Sequence, residues 1–198
     1  MAINRNVGLR DLYTADVTTN TKEEYTTGKP ELLARAVSAK IQEKFNSQTL
    51  YSDDSPEGAI RSFEGVSIDL EVDKLLCQKI ASLYGQKYEN GFLVGNTQDT
   101  AKDKALGFRS KIGDTNKYEF YWFYVVGVDG GLETELETLA EKPKGAKVKI
   151  KLLGRGREKD DNYKIVVNET ELMEGETDAM AAIKAWFSKV QEPVAKVA

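Results

Sequence analysis

Residues 50–95, LYSDDSPEGAIRSFEGVSIDLEVDKLLCQKIASLYGQKYENGFLVG, decide the fold. The stretch reads as an acidic loop, an alternating strand, a short helix and a glycine-marked hairpin. Ile60, Val66, Ile68 and Leu70 share one parity, with Ser67, Asp69 and Glu71 on the other. That period of two is the pattern of a half-buried strand. Gly65 within the run predicts a bulge. Asp73 predicts a helix N-cap, because a carboxylate can accept from the orphan donors of a first turn. Val72, Leu75, Leu76, Ile80 and Leu83 recur at helical spacing, which places Leu76 and Ile80 on a buried stripe. Gly85 supplies the stop, so the helix is expected over about 73–84.

The flanking sequence is rich in strands. Residues 7–18 form a first strand with Val7, Leu9, Asp11, Tyr13, Ala15 and Val17 on one parity. Residues 19–30, with Gly28 and Pro30, read as loop. Residues 33–45 fit both a helix face (Leu33, Val37, Ile41) and an alternating strand (Val37, Ala39, Ile41, Phe45), although Ala, Lys, Gln and Glu favour helix by propensity. Leu106, Phe108 and Ile112 oppose Arg109 and Lys111, and residues 113–116, GDTN, are turn chemistry. Residues 118–126, YEFYWFYVV, are apolar on both parities and predict a strand covered on two faces, one of which could be a subunit interface.

Residues 127–141 carry Asp129, Glu133, Glu135, Glu137 and Glu141 with no basic residue. Lys147, Lys149 and Lys151 then alternate with Val148, Ile150 and Leu152, an amphipathic strand with one cationic face. Residues 160–162 turn into a partner strand, YKIVV. Residues 178–190 read as a helix with Met180, Ile183, Trp186, Phe187 and Val190 on one stripe. No repeat or composition break marks a second domain, so one domain spans 1–198, with a β-rich core to 175 and a C-terminal helix over 176–192. The expected class is β-rich α+β: an antiparallel sandwich or curled sheet, one flanking helix after the central strand, and a C-terminal helix.

Composition narrows the chemistry. The 198 residues contain no histidine, which removes Ser-His and Cys-His catalysis, His-ligated zinc and imidazole proton transfer. Carboxylate chemistry stays open with 32 acidic residues, but no pair stands out from the surface background. No catalytic, metal or cofactor site is expected. The single cysteine, Cys77, forbids an internal disulfide and reads as a small packed residue. The opening residues lack the apolar core of a signal peptide, and no apolar run is long enough to span a bilayer, so synthesis in a cytoplasm is expected.

Weaker signals have plainer readings. Residues 154–157, GRGR, lack the further glycines and Lys-Ser/Thr of a phosphate loop and read as a charged strand end. Asp53 and Asp54 beside Ser52 could pair on a metal but read as exposed loop acids. The acidic runs 130–141 and 169–178 lack the spacing of a calcium loop. The basic region 142–164, with Tyr163, could bind a single-stranded oligonucleotide, against which stands the net charge of −4. Trp122 and Trp186 read as core or interface anchors.

Three of these features together resemble the major tail tube protein of long, non-contractile-tailed bacteriophages: the LYSDD loop, the FEGVSIDLEVD strand with its helix, and the YGQKYENGFLVG hairpin. The closing AIKAWFSKVQEP, with Trp186, Phe187, Val190 and Pro193, is similar to the end of the phi13-like group of siphophage major tail proteins. The resemblance implies a strand over 33–45 and a structural virion protein. Six copies would form a ring and the rings would stack into a tube. Its implied partners are further copies of itself, the tape measure protein, tail terminator and distal tail proteins, and DNA that passes through the lumen without specific binding. The polar loops 19–30, 47–58 and 127–143 become candidate ring-to-ring contacts. Asp53, Asp54, Asp129, Glu133, Glu135 and Glu137 become candidate acidic interface residues, with Lys147, Lys149 and Lys151 as the opposite charge on a neighbouring copy. The rival readings are a carbohydrate- or protein-binding β module and the oligonucleotide-binding protein.

Overall fold

A computed structural model describes residues 5–52, 55–136 and 147–193. It is β-rich, with all strand pairs antiparallel and two short helices among the described residues. The main sheet runs β2 (Tyr25–Thr27), β1 (Asn6–Asn20), β8 (Lys104–Ile112), β9 (Tyr118–Val128), β11 (Lys147–Arg155), β5 (Ser55–Val72), β4 (Ala36–Ser52). Three strands join it from the side: β3 (Glu31–Ala34) on β1, β10 (Glu133–Glu135) on β11 and β12 (Lys164–Asn168) on β9. A separate hairpin pairs β6 (Lys87–Glu89) with β7 (Phe92–Val94), turning through Asn90 and Gly91 at φ 51° and 85°.

The sheet curls on itself. Leu12 of β1 shares one core with Val66, Ile68 and Leu70 of β5, although four strand spacings separate these two strands in the sheet order. The burial of 66–72 follows the alternation of the sequence: Val66, Ile68, Leu70 and Val72 are buried, while Ser67, Asp69 and Glu71 are not. Burial of such aliphatic side chains stabilises by about 1.5–3 kcal/mol each.

Gly65 does mark a bulge. Lys44 pairs with Gly65 and Phe45 with Phe63, so Glu64 is left over. Gly65 takes φ 145°, which side-chain-bearing residues rarely adopt, and a Cβ there would lie 2.8 Å from the Gly154 carbonyl. The extra residue flips the alternation. Ile60 therefore does not share the face of Val66 and Ile68, and it is exposed. The same effect operates in β1, where the ladder slips between Arg10 and Tyr13 around Asp11 at φ 55°. Leu12, off the parity read from the sequence, is fully buried as a result.

The first helix, α1 (Cys77–Tyr84), begins later than expected. The Asp73 N–H bonds to the Arg35 carbonyl, which prolongs strand pairing, and Asp73 Oδ1 accepts from the adjacent Lys74 N–H instead of capping a turn. The shifted start rotates the stripe. Leu75, Ala81 and Leu83 are buried and Ile80 is half-buried, but Leu76 is 58% exposed and Cys77 is also exposed. Gly85 closes the helix in the left-handed conformation at φ 71°, as read from the sequence.

Strand β9 is the centre of the molecule and is covered on both sides by the chain itself. Phe123 and Val126 face the core inside the curl. Phe120, Trp122, Tyr124 and Val125 face a second core with Ala15, Tyr25, Trp186 and Val190. A subunit interface is not needed to bury this strand. The lid of the second core is the C-terminal segment, where α2 (Thr177–Lys184) is shorter than the expected 176–192. It stops because Trp186 turns inward. Trp122 Nε1 donates to the Trp186 carbonyl at 3.1 Å and Trp186 Nε1 donates to the Tyr121 carbonyl at 3.3 Å. Gln191 Nε2 then donates to the Ala185 and Lys189 carbonyls at 2.8 and 3.1 Å, replacing helical partners. Met180, expected on the buried stripe, is exposed.

Candidate functional site

The feature of this fold that asks for a partner is the β4–β5 hairpin. Residues 33–45 are strand, divided between β3 and β4. The expected polar loop 47–58 is also strand over its described residues: β4 runs to Ser52 and β5 starts at Ser55, with Ser52 opposite Ser55. Beyond Gly65 the hairpin leaves the sheet. β11 accompanies β5 only from Val66 to Val72, and residues 55–63 have β4 as their sole strand partner among the described residues. This free part pairs residues 45–52 with 55–63, roughly 26 Å at about 3.3 Å per residue. Residues 44–49 and 58–64 are exposed throughout. A two-stranded ribbon of this kind is marginally stable by itself, so a projecting one gains most from contact with another surface.

The outer edge of β4 is equally open. Of the 17 residues of β4, all but Val37 pair on one side with β5, and no strand occupies the other side among the described residues. Unpaired edges of this length are templates for further strands. Two lysines, Lys40 and Lys44, and three ladder shifts interrupt the edge, devices that discourage indiscriminate pairing. Apolar side chains accompany it: Val37, Ile41, Phe45 and Ile60 are all at least one-third exposed. Ile41 and Phe45 stand opposite Ile68 and Phe63, so they continue the interior face of the sheet outward past its cover. Where β4 nears β1 without pairing, Leu9, Ala39, Ile41, Phe108 and Tyr121 line an open groove of ≈ 340 Å³. The opposite end of the sheet is β2, which gives the expected loop 19–30 three residues of strand.

The charged residues singled out in sequence meet inside the chain. Glu133 and Glu135 form β10, opposite Lys149 and Lys147 of β11. Lys151 Nζ lies 2.7 Å from Glu133 Oε1 and Lys149 Nζ 2.8 Å from Glu135 Oε1, while Lys147 Nζ lies 3.6 Å from Glu71. These hydrogen bonds hold the Glu133 and Glu135 carboxyls below their ordinary range and push the Lys149 and Lys151 ammonium groups up. The opposite signs expected to attract across two copies thus have partners within one. The exposed Asp129 contributes its N–H to the Lys151 carbonyl at 2.8 Å. Glu137, Asp53, Asp54 and residues 137–143 of the expected loop 127–143 lie outside the described residues, and within the rest of that loop 133–135 are strand.

Sequence reading missed Arg157. Counted there as a surface charge at a strand end, it is 1% exposed. Its guanidinium sits over the rings of Tyr124 and Tyr25, 4.3 and 5.0 Å from their centroids. Nε and Nη2 donate to the two Asp160 oxygens at 2.7 and 2.6 Å, and Nη1 lies 3.2 Å from Glu192 without hydrogen-bond alignment. Asp160 is held down at about 2, chiefly by the Arg157 hydrogen bonds. Burial pushes both tyrosines above their usual range. The arrangement anchors the C-terminal segment, through Glu192, to the second core. Nothing in the GRGR pattern distinguishes Arg157 from the half-exposed Arg155, which pairs with Asp103 at 2.6 Å.

A second buried cation, Lys104, donates to Asp16 and, at 2.7 Å, to Ser82 Oγ, tying α1 to β1 and β8. No group of three or more metal-binding side chains is present among the described residues, and no helix there is long and apolar enough to cross a membrane. In comparisons with known proteins, no family model matches the chain and no curated protein matches it.

Proposed function

We propose that the protein is the major tail tube protein of a long, non-contractile-tailed phage, acting by assembly and not by catalysis. The observation that carries this reading is the β4–β5 hairpin, with its projecting end and an outer edge that has no strand partner among the described residues. An edge of this length, left open on a subunit, is satisfied when a neighbour supplies a strand. If that neighbour is an identical copy that offers a different strand, the contact is heterologous, and it makes a ring when the rotation between copies closes. The sequence resemblance supplies the number six, the stacking of rings and the partners: tape measure protein inside, terminator and distal tail proteins at the ends. The virion tail is then the site of action.

The charge arrangement supports a conduit. Free lysines would hold DNA through counterion release, and each phosphate contact adds to that grip. Here Lys149 and Lys151 are each neutralised by a glutamate of β10, and Lys147 faces Glu71. The same pairing weighs against the oligonucleotide-binding alternative. Negative-stain microscopy of the concentrated protein tests the reading: rings or tubes are expected, and they persist in excess chelator because no metal is called for. A protein that stays monomeric at every concentration, or tubes that dissolve on chelation, would contradict it.

A further inference from the structure

We propose that Tyr163 and Lys164 are positioning residues that fix the direction of the projecting hairpin arm, acting across a hinge at Gly65. The inference rests on the tail-tube reading only where it concerns assembly; the latch itself stands on the contacts around the root of the arm.

The arm emerges where its support ends. Gly154 opposite Val66 is the last pair between β11 and β5, and Gly65 follows at once with φ 145° and the left-over Glu64 beside it. A bulge bends and twists a ribbon locally. From this point outward β4 and β5 have only each other as strand partners among the described residues, so contacts at the bulge decide which way the ribbon points.

Those contacts come from one short segment. Tyr163 stacks on Phe63 with ring centroids 4.5 Å apart at 27°. Phe63 meets its cross-strand partner Phe45 edge-on at 5.6 Å, and the Arg61 guanidinium lies 5.0 Å above Phe45. Lys164 Nζ pairs with Glu43 of β4 and also sits 5.4 Å from the centroid of the Tyr163 ring. Burial disfavours the charged form of Lys164, yet the Glu43 hydrogen bond and charge outweigh it, and the ammonium is held above its ordinary range. Glu43 stands opposite Val66, on the body side of the bulge, and Phe63 lies on the arm side. The pair Tyr163–Lys164 therefore grips the hairpin on both sides of the hinge. Its own footing is firm: the Tyr124 N–H donates to the Tyr163 carbonyl at 3.1 Å, and Lys164 pairs with Phe123 at the start of β12. The direction of the arm is thereby referred to β9, a strand that carries residues of both cores.

Removing the stack should lower the ratio of held to released arm by about 2- to 12-fold, the factor that corresponds to one aromatic pair. The probe is a spin-label pair, one on the exposed native Cys77 and one on the arm through Gln48→Cys, in unassembled protein. The native chain should give a single narrow distance distribution. Tyr163→Ala and Lys164→Glu should each broaden it, with melting temperature and circular dichroism of the body retained. Tyr163→Phe should keep it narrow, because the ring remains. The charge swap Glu43→Lys with Lys164→Glu should narrow it again, a rescue that a merely structural role would not produce. An unchanged distribution in both Tyr163→Ala and Lys164→Glu, or a charge swap as broad as the single variant, would overturn the latch. Should Tyr163→Ala fail to fold, Lys164→Glu and its swap decide alone. Polymerisation provides a separate readout: broadened variants should assemble more slowly than the native chain. A loosened arm with native assembly kinetics would leave the latch standing and remove the arm from the tail-tube account.

Discussion

Truncation of Trp186 to alanine is expected to be the most damaging single change in the C-terminal segment. The indole is 1% exposed and fills the second core against Phe120, at 5.4 Å between ring centroids, and Trp122. Loss of a buried Trp side chain costs about 3–5 kcal/mol through lost transfer energy and the cavity left behind. Its Nε1 hydrogen bond to the Tyr121 carbonyl adds about 1 kcal/mol. The total is comparable to a third or more of the roughly 5–15 kcal/mol that holds a domain together. At about 2–4 °C per kcal/mol for a chain of this size, the melting temperature should fall by roughly 8–24 °C. Trp186→Phe keeps most of the apolar volume and loses the hydrogen bond, so it should fall between. The assay is urea unfolding followed by far-ultraviolet circular dichroism, alongside a thermal melt. A loss below about 1 kcal/mol for Trp186→Ala would show that the second core does not depend on this lid, and that β9 needs a neighbour for its cover after all.

Leu83→Asp should prevent folding or cost several kcal/mol, because it places an unpaired charge in the core, whereas Leu76→Asp should leave a folded protein, as Leu76 is exposed; equal effects of the two in expression and melting would refute the helix register. Reversal of Lys147, Lys149 and Lys151 to Glu sets like charges against Glu71, Glu135 and Glu133, so amide exchange at residues 133–135 should quicken while β5 stays protected; unchanged exchange there would dismiss the charge ladder. Asp160 is held at about 2 against an ordinary 3.8, so its stabilisation is fully present above about pH 4 and is lost as pH falls through 2. Asp160→Asn should thus lower the urea midpoint at pH 7, and its difference from the native chain should shrink towards pH 2; a difference that grows with acid would reverse the sign. Gly107→Ala should destabilise by about 1–3 kcal/mol, because the added Cβ would lie 2.7 Å from the Trp122 ring; a neutral thermal melt would mean that the indole moves aside freely.

The sequence announced those parts of the fold in which one face is wet and the other dry. Residues 66–72 and 148–152 alternate cleanly because each faces the core on one side only, and burial follows that pattern. Gly65 and Gly85 were legible because few residues other than glycine tolerate their dihedrals. The arm was not legible. A ribbon solvated on both faces has no reason to alternate, so the polar residues 47–58 read as loop. Residues 33–45 carry helix-forming side chains, and the long pairing with β5 overrides that local preference. The position of Leu76 was lost through a shift of the helix start by a few residues, enough to turn its side chain out to solvent. Opposite charges at 133–135 and 147–151 were visible, but attraction within a chain and attraction between copies look alike in one sequence. Arg157 was hidden because only Asp160 lies near it in sequence; its second counterion, Glu192, and its aromatic bed, Tyr25 and Tyr124, come from three distant places in the chain.

In the proposed tube, the edge of β4 that is open among the described residues and the projecting end of its hairpin are the surfaces through which subunits assemble. Cryo-electron microscopy of the concentrated, self-assembled protein tests it most directly. Stacked rings of six subunits are expected, with the outer edge of β4 hydrogen-bonded to a strand of the adjacent copy and the arm seated on a neighbouring subunit. Particles that leave the β4 edge and the arm in solvent, whatever their symmetry, would contradict it.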